Sequence, residues 1–478
     1  MKKIISTVAA LGLVVGVAGT ASALDFTMSG EYVLEGYMLN NADGMDKSLG
    51  DEGNTSDGGF DPYNDDAGTD SGWVHTFRIK PQMKVNDKIT VVSELRFFKD
   101  ADWGSGNNFG GSTGLSNDDS NHHLDIYHLY MDYMSPVGKI RAGRVPTGSW
   151  GGDFLSTASS GDRLFWFPNF VAEPFTLTLF VQKTQENDWY GSEDDADSDV
   201  YEVDLTYKTD DLLLKGAYDY TNNKANSDSG VPTTSYDRQN NLLKAYGVAK
   251  VGMFSLEAEW GWMFGDWFDY DQEVIGVTED RDVDTMAFML DASTKMDKLN
   301  VGLMYFWAEG QDDEILTDAD ADMTAAMRGT LNDGIGDDFN PYYILTGDHT
   351  GMLNSDEYND DSNMAMSGVN AIGVHADYQV TDQLTMHGAV AYAWADDIDI
   401  VEAAAIADSG IAGYDVDDEY GWEVDLGAKY KLLDNLTYEV RAAYFNTGDF
   451  FEDISQSVNA TNDSDDLYLL SHHLTMTF

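Results

Sequence analysis

Basic side chains are the scarcest charged groups in this sequence, and their crowding is its first chemical signal. The 478 residues carry 27 Lys or Arg against 85 Asp or Glu, a formal charge of −58. Yet Arg78, Lys80, Lys84, Lys88, Arg96, Lys99, Lys139, Arg141, Arg144 and Arg163 crowd into one part of the chain. A strip of cations along a narrow passage would orient and select charged solutes. Asp318-Ala319-Asp320-Ala321-Asp322 alternates carboxylates, and such hard oxygen donors suit a loosely held Ca2+ or Mg2+. An EF-hand loop needs Gly at its sixth position and Glu at its twelfth. Met323 and Gly329 stand there, so Asp318, Asp320 and Asp322 are weak divalent candidates only. His122-His123 and His472-His473 are adjacent pairs; strand neighbours point to opposite faces, so neither pair holds one metal by itself. No Ser/His/acid arrangement stands out, and the expectation is a non-enzymatic protein without a resident cofactor.

Composition narrows the classes. So acidic a chain lacks the basic excess that nucleic-acid binding requires. Without Cys there are no disulfides, thiolate zinc sites, iron–sulfur clusters or covalently attached haem. Aromatic residues make up 12% and Gly numbers 46, unlike a disordered acidic chain. Residues 1–23 begin with Lys2 and Lys3, continue through an apolar stretch and end Ala21-Ser22-Ala23, the pattern of a secretory signal peptide. The mature chain is then 24–478. No later apolar run is long enough for a membrane-spanning helix.

The elements that must position these side chains are strands. In 25–39, Phe26, Met28, Tyr32, Leu34 and Met38 share one face, while Thr27, Ser29, Glu31 and Glu35 share the other. In 72–85, Phe77, Ile79, Met83 and Val85 alternate with Arg78, Lys80, Gln82 and Lys84. In 418–431, Tyr420, Trp422, Val424, Leu426, Ala428 and Tyr430 alternate with Glu423, Asp425 and Lys429. Only a strand produces this period of two. Tight links such as Asn86-Asp87, Val251-Gly252 and Met296-Asp297 alternate with long acidic ones: nine acids in 40–71, seven in 185–199, fourteen in 310–365. The expectation is an all-β, antiparallel, up-and-down transmembrane β-barrel of about 18 strands, with short turns at one end and long acidic loops at the other. The weakest strand is 161–171, interrupted by Pro168; sixteen strands is the alternative.

Segments of 9–15 residues suit a tilted bilayer crossing, and a sheet in lipid must close so that no backbone group is left unpaired. Trp73, Trp260, Trp262, Trp307, Trp394 and Trp422 lie on the apolar face toward long loops; Tyr133, Tyr207, Tyr378 and Tyr430 lie on it toward tight turns. Two aromatic belts match two membrane interfaces.

With its signal peptide, lack of Cys, hairpin repeat and C-terminal strand DLYLLSHHLTMTF ending in Phe478, the chain resembles Gram-negative outer-membrane porins. Ile140-Arg141-Ala142-Gly143-Arg144 resembles a strand that precedes the inward-folded third loop in many of them. The resemblance spans the mature chain as a pattern. It implies an outer-membrane location, a water-filled lumen narrowed by an inward loop at 147–160, a homotrimer, and Phe478 as a signal to the barrel-assembly machinery. The acidity and the long outer loop 310–365 depart from ordinary general porins.

The implied constriction comprises Arg78, Lys80, Arg96, Arg141, Arg144 and Arg163, with Asp153 and Asp162 as acids opposite. These cations are equally readable as lumen residues balancing Glu94 and nearby acids. The expected function is passive diffusion of small hydrophilic solutes and ions. The acidic mouth favours cations within a Debye length of ~8 Å, and the basic strip opposes it. Divalent ions on the outer loops would bridge to lipopolysaccharide phosphates. Rival readings are a structural sheath around a periplasmic electron-transfer partner and a transporter barrel with a saturable site.

Overall fold

The computed structural model describes residues 25–40, 69–102, 125–146, 150–155, 160–186, 197–226, 235–270, 280–316, 321–324, 339–347, 366–458 and 466–478. The signal-peptide segment, His122-His123, Asp318, Asp320 and most of the longest connections lie outside these residues.

Eighteen strands form one antiparallel sheet. They are β1 (Asp25–Asn40), β2 (Thr69–Asn86), β3 (Ile89–Asp102), β4 (Asp125–Ser135), β5 (Gly138–Pro146), β6 (Ser160–Pro168), β7 (Phe175–Gln185), β8 (Ser198–Lys208) and β9 (Leu212–Asn226). Then come β10 (Tyr236–Val251), β11 (Phe254–Tyr270), β12 (Arg281–Met296), β13 (Leu299–Ala308), β14 (Val369–Gln379), β15 (Leu384–Trp394), β16 (Glu419–Leu433), β17 (Leu436–Thr447) and β18 (Leu467–Thr477). Each strand pairs with its neighbour in sequence, and β18 pairs back onto β1, which closes the barrel and removes every sheet edge. At the seam the Gly30 N–H donates to the Phe478 carbonyl (2.9 Å) and the Phe478 N–H to the Gly30 carbonyl (3.0 Å). The eighteen-strand expectation holds over the sixteen-strand alternative, and the sixth strand ends at Pro168, where the ladder loses a donor.

The tight turns share one end. Asn86 Oδ1 caps the β2–β3 turn, accepting from the Lys88 N–H (2.8 Å) and the Ile89 N–H (3.0 Å). Asp297, at φ 54°, makes the β12–β13 turn. All long connections leave from the other end.

Alternation fixes what each face meets. Leu303, Val374, Val390 and Leu426 lie uncovered on the outside, and Leu426 is 63% exposed. In water such a continuous apolar belt would be costly; in lipid it is the matching surface. Trp73, Trp422, Tyr378 and Tyr430 are exposed on this face. Trp262 and Trp307 donate their indole N–H to Asp284 and Asp396, both at 2.6 Å. β11 runs on to Tyr270, so Trp260 and Trp262 lie in mid-strand and not at the loop end.

Among the described residues two α-helices depart from the all-strand expectation. α1 (Asp399–Ser409) and α2 (Asp449–Val458) lie in the connections after β15 and β17. Asp399 and Glu402 in the first turn of α1, and Asp449 and Glu452 in that of α2, suit the helix dipole. Phe450, Phe451 and Ile454 of α2 are buried; Phe450 meets Tyr420 edge-on at 4.7 Å. Among the described residues no helix is long and apolar enough to cross a membrane.

Candidate pore and its inward segments

The basic strip is real in space, and it is organised around one acid. Glu94 of β3 is buried on the inner wall, where four cationic or potentially cationic groups converge on its carboxylate. Arg96 Nε lies at 3.0 Å, Lys80 Nζ at 3.2 Å, His128 Nδ1 at 3.5 Å and Arg78 Nη1 at 4.0 Å. Arg78 also binds Glu31 on β1. On β5, Arg141 is held by Asp132 through two bonds of 2.7 and 2.9 Å. Aromatic faces back these cations: the Arg96 guanidinium sits 3.2 Å from the Tyr127 ring centre and that of Arg141 4.4 Å from Tyr130. Arg163 of β6 is enclosed by Phe180 and Phe165 and donates to Gln182 at 2.6 Å.

Arg144 and Asp162 do not join this group. Arg144 stands in register with outward Leu129 on one side and with Asp162 on the other, so both share the outer face. The period of two explains the miss: Arg141 and Arg144 are three residues apart, an odd spacing that sends them to opposite faces. Asp153 is exposed on the inward segment described below.

A second group of inner-wall acids runs from β8 to β17. In a closed eighteen-strand barrel the strand nine places on is opposite, so β3 faces β12 and β5 faces β14. From β8 to β17 the lumen carries Glu202 and Asp219, both on Lys244 (3.0 and 2.7 Å), together with Asp204, Glu257 and Glu259. Further round come Asp291 with His375 (2.6 Å), Asp377 with His387 (2.9 Å), then Glu423, Asp425 and Glu439.

Two segments of the long connections lie against this acidic side. Residues 150–155, between β5 and β6, contact inner-wall residues. The Trp150 indole N–H donates to Asp204 at 2.6 Å, the Gly152 N–H to Glu259 at 3.0 Å, and Lys215 donates to the Trp150 carbonyl. Residues 339–347, in the connection between β13 and β14, contact that wall too. The Ile344 and Leu345 N–H groups donate to the two carboxylate oxygens of Glu423, each at 2.7 Å, and the Tyr343 N–H to Asp425 at 3.2 Å. Gly373 and Gly427 make room: a Cβ at 373 would lie 2.1 Å from the Tyr342 hydroxyl, and one at 427 would lie 2.5 Å from that of Tyr343. Sequence reading takes 310–365 as a long outer loop; the structure turns its residues 339–347 inward. The usable signal was Tyr342-Tyr343-Ile344-Leu345, an apolar run inside an acidic loop with no reason to stay in water.

At the mouth, α1 packs on α2, and α2 packs on β16. Beside them a cavity of about 330 Å³ is lined by Ala395, Asp396, Ile398, Asp415, Val416, Asp417, Asp418 and Asp453. Glu309, just past β13, accepts the Met286 N–H at 2.8 Å. Burial pushes its carboxyl up to about 7, and the charges of Asp396 and Asp284 push the same way. Burial also raises Asp397 and Asp453, with neighbouring aspartates adding to it. Of the three divalent candidates only Asp322 is described; its carbonyl accepts from Gln311 at 3.0 Å. His472 packs against Trp73 on the outer face, at 4.7 Å between ring centres, whereas His473 meets Glu35 inside at 3.3 Å. That is the opposite-face placement expected of strand neighbours.

No family model matches the chain, and no curated protein sequence matches it. Among solved structures it is similar to Pseudomonas aeruginosa OccK9 (OpdG) at 12% identity, covering 95% of this chain and 98% of that one, TM-score 0.49. It is similar to P. aeruginosa OccK8 (OprE) at 14% identity, covering 94% and 98%, TM-score 0.48. A trimer form of the outer-membrane protein OmpT of Vibrio cholerae is similar at 12% identity, covering 96% and 100%, TM-score 0.38. At such values the assignment rests on the barrel itself: closure at the β1–β18 seam, the apolar outer belt and the charged lumen. The chain is a transmembrane β-barrel of eighteen strands whose lumen is narrowed by two segments of its own long connections.

Proposed function

We propose that this barrel is a bacterial outer-membrane channel for passive diffusion of small hydrophilic solutes and ions, selected by charge in two stages. The acidic outer loops concentrate cations at the mouth, within a screening length of ~8 Å. The narrowed lumen then presents mainly its basic wall, and this second stage decides which solutes pass. The observation that carries the reading is an asymmetry of exposure. Glu423, Asp425 and Glu259 are at most 1% exposed, whereas the Lys80 side chain is 48% exposed. The acids beneath the two inward segments are covered; Lys80 is not. A solute with a negative group would meet Arg78, Lys80 and Arg141, while a bulky apolar solute would find no complementary surface.

The experiment is single-channel recording of the refolded protein under a salt gradient. Arg78→Ala, Arg96→Ala and Arg141→Ala should each move the reversal potential toward the cation side. Unaltered conductance and ion preference in all three would refute the basic wall as the selecting surface.

The two inward segments occupy space that a sheath around an electron-transfer partner would need, and this favours a channel over that reading. Concentration-dependent current block by a single solute would identify a saturable site instead of simple diffusion. Trimer formation, recognition of Phe478 by the assembly machinery and divalent bridging from the outer loops to lipopolysaccharide complete the proposal. The seam position of Phe478, with its ring stacked 6.4 Å from Phe77, is compatible with a closing signal.

A further inference from the structure

Residues 339–347 do more than occupy volume: they cover carboxylates that would otherwise set the sign of the lumen. Three successive N–H groups, of Tyr343, Ile344 and Leu345, are spent on Asp425 and Glu423. Among the described residues no Lys or Arg lies within ion-pair distance of either acid; Arg441 pairs with Glu439 at 2.8 Å and lies over the Tyr343 ring at 5.2 Å. The acids therefore depend on backbone amides of a segment that belongs to an outer loop. Its grip is otherwise apolar. Tyr342, Ile344 and Leu345 are fully buried, and Phe339 is wedged against Phe154 (5.1 Å) and Phe306 (5.2 Å).

From this seat we infer that segment 339–347 is a charge mask and the specificity-determining part of the channel. Seated, it hides Glu423 and Asp425 and leaves the passage to the Glu94-centred cations. Unseated, it would expose a pair of carboxylates on β16, widen the passage and turn its preference toward cations. Two uncompensated carboxylates in a narrow lumen attract cations far more strongly than the same charges on an open surface. The inference rests on the channel reading above and adds the residues that decide its sign.

The test unseats the segment without altering any wall charge. Gly427→Leu drives a side chain into the Tyr343 hydroxyl, whose nearest approach to a Cβ there is already 2.5 Å. Phe339→Ala removes the far anchor and serves as an independent second variant. Because the chain contains no Cys, Ile344→Cys supplies a single reporter thiol in each background, read by the rate of maleimide labelling. The expected result in both backgrounds is faster labelling, higher single-channel conductance and a reversal potential shifted toward the cation side. Faster labelling with an unchanged reversal potential would overturn the mask. So would unchanged labelling in both variants, since the seat would then not depend on these contacts. A barrel that labels but never conducts, in any form, would refute the channel reading itself, and the thiol readout keeps the two failures apart.

Discussion

Phe154 and Phe339 meet edge to face inside the barrel, their ring centres 5.1 Å apart and their planes at 72°. The contact joins two connections that are far apart in sequence, one after β5 and one after β13. Phe306 of β13 closes the triangle, 6.1 Å from Phe154 and 5.2 Å from Phe339. The inward segments are thus one packed unit, and an apolar cluster inside a polar lumen is what holds them there.

Phe339→Ala should loosen both segments at once. Deleting a buried Phe costs about 3–5 kcal/mol in a packed core, and here that loss falls on the inward unit, since the strand ladder is untouched. The temperature at which the folded band disappears in unheated-versus-heated gel mobility should change little, while protease access to 150–155 and 339–347 should rise. A large fall in barrel stability without new cleavage would place the cluster in the scaffold and not in the insert.

Glu94 is the one acid on which Arg78, Lys80, Arg96 and His128 converge. Glu94→Gln keeps its volume and removes its charge, so the strip becomes more positive by one unit. The reversal potential should move toward the anion side, opposite in direction to Arg78→Ala. Shifts of the same sign for the two variants would contradict an electrostatic role for the strip.

The mouth should be tighter in acid. Glu309 is lifted by burial from its ordinary value of 4.5 to about 7. The closed structure around Glu309 therefore holds a proton that the locally opened form releases above about 4.5. The closed structure weakens as the pH rises from about 4.5 to about 7 and is level beyond. Asp397 and Asp453 are shifted in the same direction. Hydrogen exchange of the Met286 N–H, which donates to Glu309, corrected for intrinsic rates, should show more protection at pH 5 than at pH 8, and Glu309→Gln should flatten the difference.

Leu426 lies at the middle of β16 and faces outward. Arg in its place should cost about 2–4 kcal/mol if that position sits at the bilayer midplane. Folding yield into lipid vesicles should fall sharply for Leu426→Arg and far less for the tight-turn variant Asn435→Arg. Equal yields would contradict the membrane reading of the outer belt.

Much of this architecture was legible in the sequence because a barrel strand writes its two environments alternately into the chain. Phe77 and Arg78 declare opposite faces by adjacency alone, and the rhythm of short and long links gives the strand count. The basic strip followed from Arg78, Lys80 and Arg96 in the same way. Arg144 was misjudged where proximity in sequence outweighed parity. The inward turn of 339–347 and the two helices were not legible, because loops carry no comparable period; only the apolar runs at Tyr342–Leu345 and Phe450–Ile454 marked them. The pairing of those amides with Glu423 is a long-range contact, and no local pattern encodes it.

The most direct measurement is the reversal potential of the refolded, unmodified barrel under a salt gradient, taken at high and at low ionic strength. At high salt, where the mouth is screened, discrete conductance steps with an anion-side reversal potential are predicted, moving toward the cation side as salt is lowered. A cation-side reversal potential at high salt would contradict a lumen governed by its basic wall.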